Sequence, residues 1–294
     1  MRPQTRRSLL VGGLAGGGAV FLGASLRSRP TPLVRKFYPP EALVVAAVNV
    51  GQGEASWIKT PSGQFIVIGA GPDERAEPLV RSLRQAGATR IDVLVLPTPY
   101  RESVGGVPGL VESFPLLQAF DNGWKTVINS SHRAARAALA EKRVPLYAAR
   151  VGQSFPLEGG VCEILHPSQP PVEEAPEAGN NSVVVRLRWG ATTFLWAGGL
   201  ERAGEEAVLE RTDSLEAQWF RVARFGNGRA TSPQWLRAVS PEFAVISVGP
   251  GEREFPDSQV LQRLEAAGTR VFRTDATPDA WVFLSDGSKI TLAS

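Results

Sequence analysis

"VLVLPTPYRESVGG", Val93 to Gly106, reads as a strand ending at Pro97, then a loop, then a turn hinged on Gly105 and Gly106. A run of apolar residues stopped by proline points to a strand covered on both faces, as in the sheet of an α/β fold. The loop after such a strand is where open α/β sheets collect their functional groups. This loop offers Thr98, Tyr100, Glu102 and Ser103, and it holds no histidine.

The same grammar runs outward in both directions. "ALVVAAVNV", "SWIKT" and "QFIVIG" are short apolar runs broken by Gly and Pro, hence strands, with "TPSGQ" as a hairpin turn. Helical periodicity spans about Arg75 to Gln85 and closes on Gly87, and it returns near Val104 to Ser113 and from Ser131 to Lys142. "LLQAF", "VPLYA" and "VCEILHP" read as strands, and the Pro- and Glu-rich "PSQPPVEEAPEAG" as a surface loop. "NSVVVRLRW" and "TTFLWAG" form a hairpin around Gly190. After it come a helix from near Arg202, the strand "WFRVA", a helix at Pro233 to Val239, the strand "FAVISVG", a helix at Ser258 to Ala267 and closing strands. Two β-rich halves separated by helices predict an α/β body of two packed mixed sheets with helices outside.

Length and charge bound the function. A chain of 294 residues that is 43% hydrophobic can bury one large core or two small ones, and a single globular body is expected. Its formal charge of +3 is carried by the N-terminus, because the first 36 residues hold seven basic side chains and no acid. The rest has 25 of the 32 basic groups against all 29 acidic ones. A slightly acidic body lacks the broad positive field that nonspecific nucleic-acid binding needs. Cys162 is the sole cysteine, which excludes an intramolecular disulfide and a thiolate cluster; its alternating apolar surroundings make it a packing thiol.

The N-terminus reads as a targeting segment. Arg6 and Arg7 precede an uncharged stretch from Ser8 to Leu26, and basic residues return at Arg27 and Arg29. Thr5-Arg6-Arg7-Ser8-Leu9-Leu10 resembles a bacterial twin-arginine export signal. Gly23-Ala24-Ser25 is the best but a poor cleavage site, so an uncleaved membrane anchor stands beside a removed signal. Residues 1–29 are therefore expected to be signal or anchor, 30–41 a proline-stiffened linker and 42–294 the folded domain. The protein is expected in the cell envelope, exported or held at the outer face of the cytoplasmic membrane.

Three stretches carry a resemblance. "VNVGQGEASWIKTPSGQFIVIGAGP", then "IDVLVLPTPYRESVGGVPGLVESF", then "NNSVVVRLRWGATTFLWAGGLERAGEE" resemble the metallo-β-lactamase-fold domain of ComEC-type competence proteins, from about Leu43 to Leu292. The resemblance implies an αββα sandwich. It also implies a zinc site, built in that family from a His-x-His-x-Asp-His loop after the strand matching "DVLVL". Here Thr98, Tyr100, Glu102 and Ser103 stand in that loop. The family's aspartate after its third strand falls on Gly69, and its metal-bridging aspartate on Gly199. Its His-His-Gly segment falls on Arg224-Phe225-Gly226, its late histidine on Phe255, and its Asp-Val-Gly-Gln-Gly-Asp opening on Asn49 to Glu54. The turn glycines Gly51, Gly53, Gly71, Gly105, Gly106, Gly198 and Gly226 are kept.

These replacements imply a vestigial pocket with no zinc, no other cofactor and no catalytic residue. His132, at a helix start, and His166, at a position that is not a ligand in the family, read as structural. Glu102 with the hydroxyls of Thr98, Tyr100 and Ser103 would hold a hard cation only weakly. Losing the aspartates together with the histidines keeps the pocket neutral. Arg101 and Arg224 are read either as facing the cleft, with Arg224 paired to Glu102, or as solvated rim residues.

Three functions stay open. The first is a non-catalytic binding or scaffold protein that takes a protein or small ligand at the cleft. The second is a residual hydrolase of phosphodiesters or other esters, with Ser103 beside Glu102 as a poor nucleophile pair lacking a histidine relay. The third is a role in DNA uptake, through a groove of Arg101, Arg224, Arg229 and Arg253. The glycine-rich "VGGLAGGGAV" lies in the signal segment and is not a phosphate loop. Among the tryptophans, Trp189, Trp196 and Trp281 read as core, and Trp124 as the one exposed near a loop.

Overall fold

Leu43, Val45 and Ala47 alternate with Val44, Ala46 and Val48, and all six are buried, so this strand needs cover on both faces. The computed structural model, which describes residues 35–173, 177–249 and 254–293, supplies that cover. The first half contributes β1 (Leu43–Val48), β2 (Ala55–Lys59), β3 (Phe65–Ala70), β4 (Val93–Leu96), β5 (Ala119–Asp121) and β6 (Leu146–Ala148). The second contributes β7 (Ser154–Leu157), β8 (Gly160–His166), β9 (Val184–Trp189), β10 (Thr192–Trp196), β11 (Trp219–Arg221), β12 (Phe243–Ile246) and β13 (Arg270–Arg273). A closing hairpin, β14 (Ala280–Ser285) and β15 (Ile290–Leu292), returns to the first half.

The strands make two mixed sheets, ordered β15-β14-β1-β2-β3-β4-β5-β6 and β13-β12-β11-β10-β9-β8-β7. In the first, β3 to β6 run parallel; in the second, β10 to β13 do. The inward residues of β1 meet Trp196, Trp219, Phe243 and Phe283 in a core between the sheets. Trp196 and Trp219 are its hub, with ring centroids 4.9 Å apart. The other face of the first sheet packs under α1 (Ala76–Gln85), α2 (Arg101–Val104), α3 (Val107–Ser113) and α4 (Ser130–Glu141). A four-residue helix α5 (Glu177–Asn180) leads into β9, and the second sheet is covered by α6 (Arg202–Leu209), α7 (Pro233–Val239) and α8 (Ser258–Ala266). The result is a four-layer αββα sandwich, as the resemblance implies.

Three local readings need correction. The helix expected near Val104 to Ser113 starts later, as α3 at Val107, and a separate short helix, α2, precedes it across a break at Gly105-Gly106. The break lies where the chain presses on β3: the Gly106 amide donates to Gly71 O at 2.9 Å, and a β-carbon on Gly106 would lie 2.1 Å from Ala70 O. The edge strand β7 escapes sequence reading because Pro156 interrupts a short, half-exposed run, which only an edge tolerates. Trp124, expected to be exposed, is half-buried. The targeting segment, residues 1–29, lies outside the described residues, as does Arg253.

Candidate functional site

The carboxyl ends of the parallel strands in both sheets converge on one cleft. Ser182, just before β9, joins the sheets there. Its hydroxyl donates to Pro97 O at 3.1 Å, past the end of β4, and accepts from the Gly199 amide at 2.9 Å, past the end of β10. Glycine is needed in that turn, because Gly198 has φ +56° and a β-carbon on it would lie 2.1 Å from Ser182 Oγ. On the other side, the Gly249 amide donates to Gln52 Oε1 at 3.3 Å, which ties the loop after β12 to the loop between β1 and β2.

Between these ties lies a cavity of about 340 Å³. It brings together nine residues singled out in the sequence: Glu54, Thr98, Tyr100, Glu102, Ser103, Gly199, Arg224, Phe225 and Phe255. Two others do not line it. Asn49 is a loop brace, donating through Nδ2 to Thr277 O at 2.8 Å and accepting from the Gly51 amide at 3.1 Å. Gly69 lies behind Glu54 and leaves the space into which that side chain folds.

Sequence reading missed Arg221 and Ser247, which also line the cavity. Arg221 lies two residues after Trp219 on β11 and so shares its inward face. It is 1% exposed, and Nη2 donates to Ser247 Oγ. Its Nε and Nη1 are buried without a hydrogen-bond partner, as are Glu54 Oε1 and Ser103 Oγ. Burial pushes the Glu54 carboxyl up to about 7, partly opposed by the Arg221 charge. Burial also brings Arg221 down to about 10, against the pull of Glu54, so the guanidinium stays charged at neutral pH. An arginine inside an otherwise apolar strand is the sequence signal that points to it.

Arg224 does not pair with Glu102. Its Nε lies 3.2 Å from Glu201 Oε1, and its guanidinium carbon sits 5.4 Å from the Tyr100 ring centroid. Arg229 Nε takes the other Glu201 oxygen at 3.3 Å. Glu201 follows the β10 turn, is 4% exposed, and was not foreseen as a partner. Arg101 turns out of the cleft and pairs with Glu74 at the surface.

The segment after β11 is strained. Arg224 (φ 50°, ψ 41°) and Phe225 (φ 59°, ψ 20°) both hold the left-handed conformation, and Gly226 follows at φ 77°. Each non-glycine residue held this way costs on the order of 1–3 kcal/mol and persists only where its surroundings impose it. Here the Arg224 amide donates to Gly198 O and the Asp257 amide to Gly226 O, both at 2.9 Å. The strain sets Phe225 beside Phe255, with centroids 6.4 Å apart, at the cavity wall.

The histidines lie elsewhere. His166 is fully buried, its Nε2 2.7 Å from Asn180 O, and burial pushes it down to about 4. His132 is buried in α4, where its amide donates to Asn129 Oδ1 at 2.8 Å. Among the described residues, no three His, Cys, Asp or Glu side chains gather as a metal-binding group. The buried thiol of Cys162 is pushed up to about 12 by desolvation, far from a reactive thiolate.

No model of a known protein family matches the chain. Two curated proteins do. ComE operon protein 3 of Bacillus subtilis (strain 168) is 22% identical over 250 residues, covering 79% of this chain and 32% of that protein. Competence protein ComA of Neisseria gonorrhoeae is 27% identical over 263 residues, covering 86% of this chain and 35% of that one. The chain thus spans about a third of the length of the curated relatives it matches. Among solved structures, the metallo-β-lactamase fold protein YhfI from Bacillus subtilis superposes with a TM-score of 0.52 at 8% identity, over 83% of this chain and 100% of that one.

Proposed function

The body of this chain is a metallo-β-lactamase-fold domain similar to that of ComEC-type competence proteins, and from that premise we propose that it is a catalytically degenerate, non-catalytic binding or scaffold protein of the cell envelope. The observation that carries this reading is Arg221. A guanidinium buried in the cavity wall repels a divalent cation brought to the same space, and two carboxylates with hydroxyls do not make the nitrogen-rich set that zinc selects. The residues present do not fit zinc. The cell-envelope part rests on the N-terminal Arg6-Arg7 pattern and on the competence proteins the chain is similar to. No helix among the described residues is long and apolar enough to cross a membrane.

Metal content by elemental mass spectrometry tests the reading, on the full chain purified without chelator, then exposed to zinc, manganese or iron and desalted. Less than about a tenth of an equivalent supports it. About one equivalent of retained metal overturns it in favour of a residual hydrolase.

The relatives' names favour a second reading, a part in DNA uptake. Of the arginines that would form the groove, Arg101 is paired with Glu74, and Arg224 and Arg229 share Glu201. Fluorescence anisotropy with single- and double-stranded DNA over a salt series decides: a steep loss of affinity with salt is the signature of phosphate contacts.

A further inference from the structure

The cavity holds three unsatisfied polar groups of two kinds. Arg221 presents buried N–H donors at Nε and Nη1, while Glu54 presents a buried carboxylate oxygen and Ser103 a buried hydroxyl. The three residues are 1%, 7% and 2% exposed. A buried polar atom left without a partner is costly, so a site with several of them is built to be completed by something else. Arg221 and Glu54 act on each other electrostatically, yet they are not in ion-pair contact, and Arg221 spends only Nη2 on Ser247.

The charges say what would complete it. A lone cation meets Arg221. A phosphate dianion gains Arg221 but meets Glu54 and Glu102, which line the same space. Arg224 does not offset them, since it is committed to Glu201. A buried guanidinium with unpartnered N–H donors and adjacent carboxylates are complemented by a ligand that carries one negative and one positive group close together. The rest of the wall is aromatic, with Tyr100, Phe225 and Phe255 half-buried around it, and Phe225 held there by left-handed backbone.

We propose that the cleft is a receptor for a small apolar or aromatic α-amino acid. Its carboxylate accepts from an unpartnered N–H of Arg221, at Nε or Nη1, its ammonium donates to Glu54, and its side chain packs against Phe225 and Phe255. The proposal rests on the binding-protein reading above and names the ligand class for the same site.

Isothermal titration of the full chain decides it, using L-phenylalanine and L-leucine, then 3-phenylpropanoate (no ammonium), phenethylamine (no carboxylate) and inorganic phosphate. The expected result is saturable binding of the amino acids, with each single-charge analogue weaker by about tenfold or more, as expected when a charge-assisted hydrogen bond is lost. Arg221→Met should abolish binding, and Glu54→Gln should weaken the amino acid while strengthening 3-phenylpropanoate, whose carboxylate no longer meets a like charge. If these variants do not fold, the analogue series on the unaltered protein decides alone. Equal affinity for 3-phenylpropanoate or phosphate overturns the proposal in favour of a simple anion site. No binding of any amino acid at millimolar concentration, by protein with less than about a tenth of an equivalent of metal, overturns it while leaving the binding-protein reading standing. Tightly held metal would instead remove that reading.

Discussion

Glu54 closes over Gly69: a β-carbon at position 69 would lie 2.3 Å from Glu54 O and 3.1 Å from Glu54 Cγ, and the residue has φ +71°. The clash is with backbone, so no rotamer change relieves it. Gly69→Ala should cost about 3 kcal/mol or more, and Gly69→Asp, which puts back the carboxylate the resemblance implies, should cost at least as much without creating a metal site. Urea denaturation with added zinc checks both, and a stable Gly69→Asp protein that zinc stabilises further would refute the account.

Two buried groups give opposite pH dependences. Glu54, raised to about 7, keeps its proton in the folded state while the unfolded chain loses it near 4.5, so its contribution is intact below 4.5 and fades as pH rises to about 7. His166, lowered to about 4, stays neutral in the folded state while the unfolded chain protonates near 6.5, so its contribution is intact above 6.5 and fades as pH falls to about 4. Each is worth up to about 3 kcal/mol, and between the two they nearly cancel over mildly acidic pH. Glu54→Gln should expose the histidine slope: stability rising from pH 4 to 6.5, and exceeding that of the unaltered protein above pH 7. Denaturant midpoints across pH measure it.

Glu201 is 4% exposed and shared by Arg224 and Arg229. Removing either arginine alone leaves it one partner, and each single alanine variant should cost about 1–2 kcal/mol. The double variant leaves a buried charge without a counter-ion, and it should lose more than the sum of the singles, about 3–5 kcal/mol in all. A double-mutant cycle by chemical denaturation reads the excess, and simple additivity would count against the shared carboxylate.

At Phe225 the usual order of glycine and alanine should reverse. Alanine keeps the left-handed strain and loses the ring, whereas glycine loses the ring and the strain together. Phe225→Gly should therefore be more stable than Phe225→Ala by about 1 kcal/mol, as thermal melts of the two variants would show.

The layered architecture was legible because its signals are local. Runs such as Leu43 to Val48 are apolar on both faces, and glycines mark where strands end. The pocket's contents were legible only where a motif named them. Arg221 was read as one residue of a strand because its burial depends on Glu54 and Ser247, both brought in from other strands' ends. The partner of Arg224 was illegible for the same reason: Glu102 lies in the metal-loop stretch, but Glu201 is the carboxylate that the β10 turn places within reach. Side-chain pairing across two sheets is set by tertiary geometry that no local spacing encodes.

The pairing of β1 with β14, from Leu43 opposite Ser285 to Val48 opposite Ala280, also sets an order of events during synthesis. β14 leaves the ribosome long after β1, so until then one side of β1 offers unpaired amides and carbonyls to any passing strand. The larger sheet is finished only when the final hairpin docks. A nascent chain arrested before Ala280 should be a chaperone client, and β14 acts as the latch on the first strand of the body.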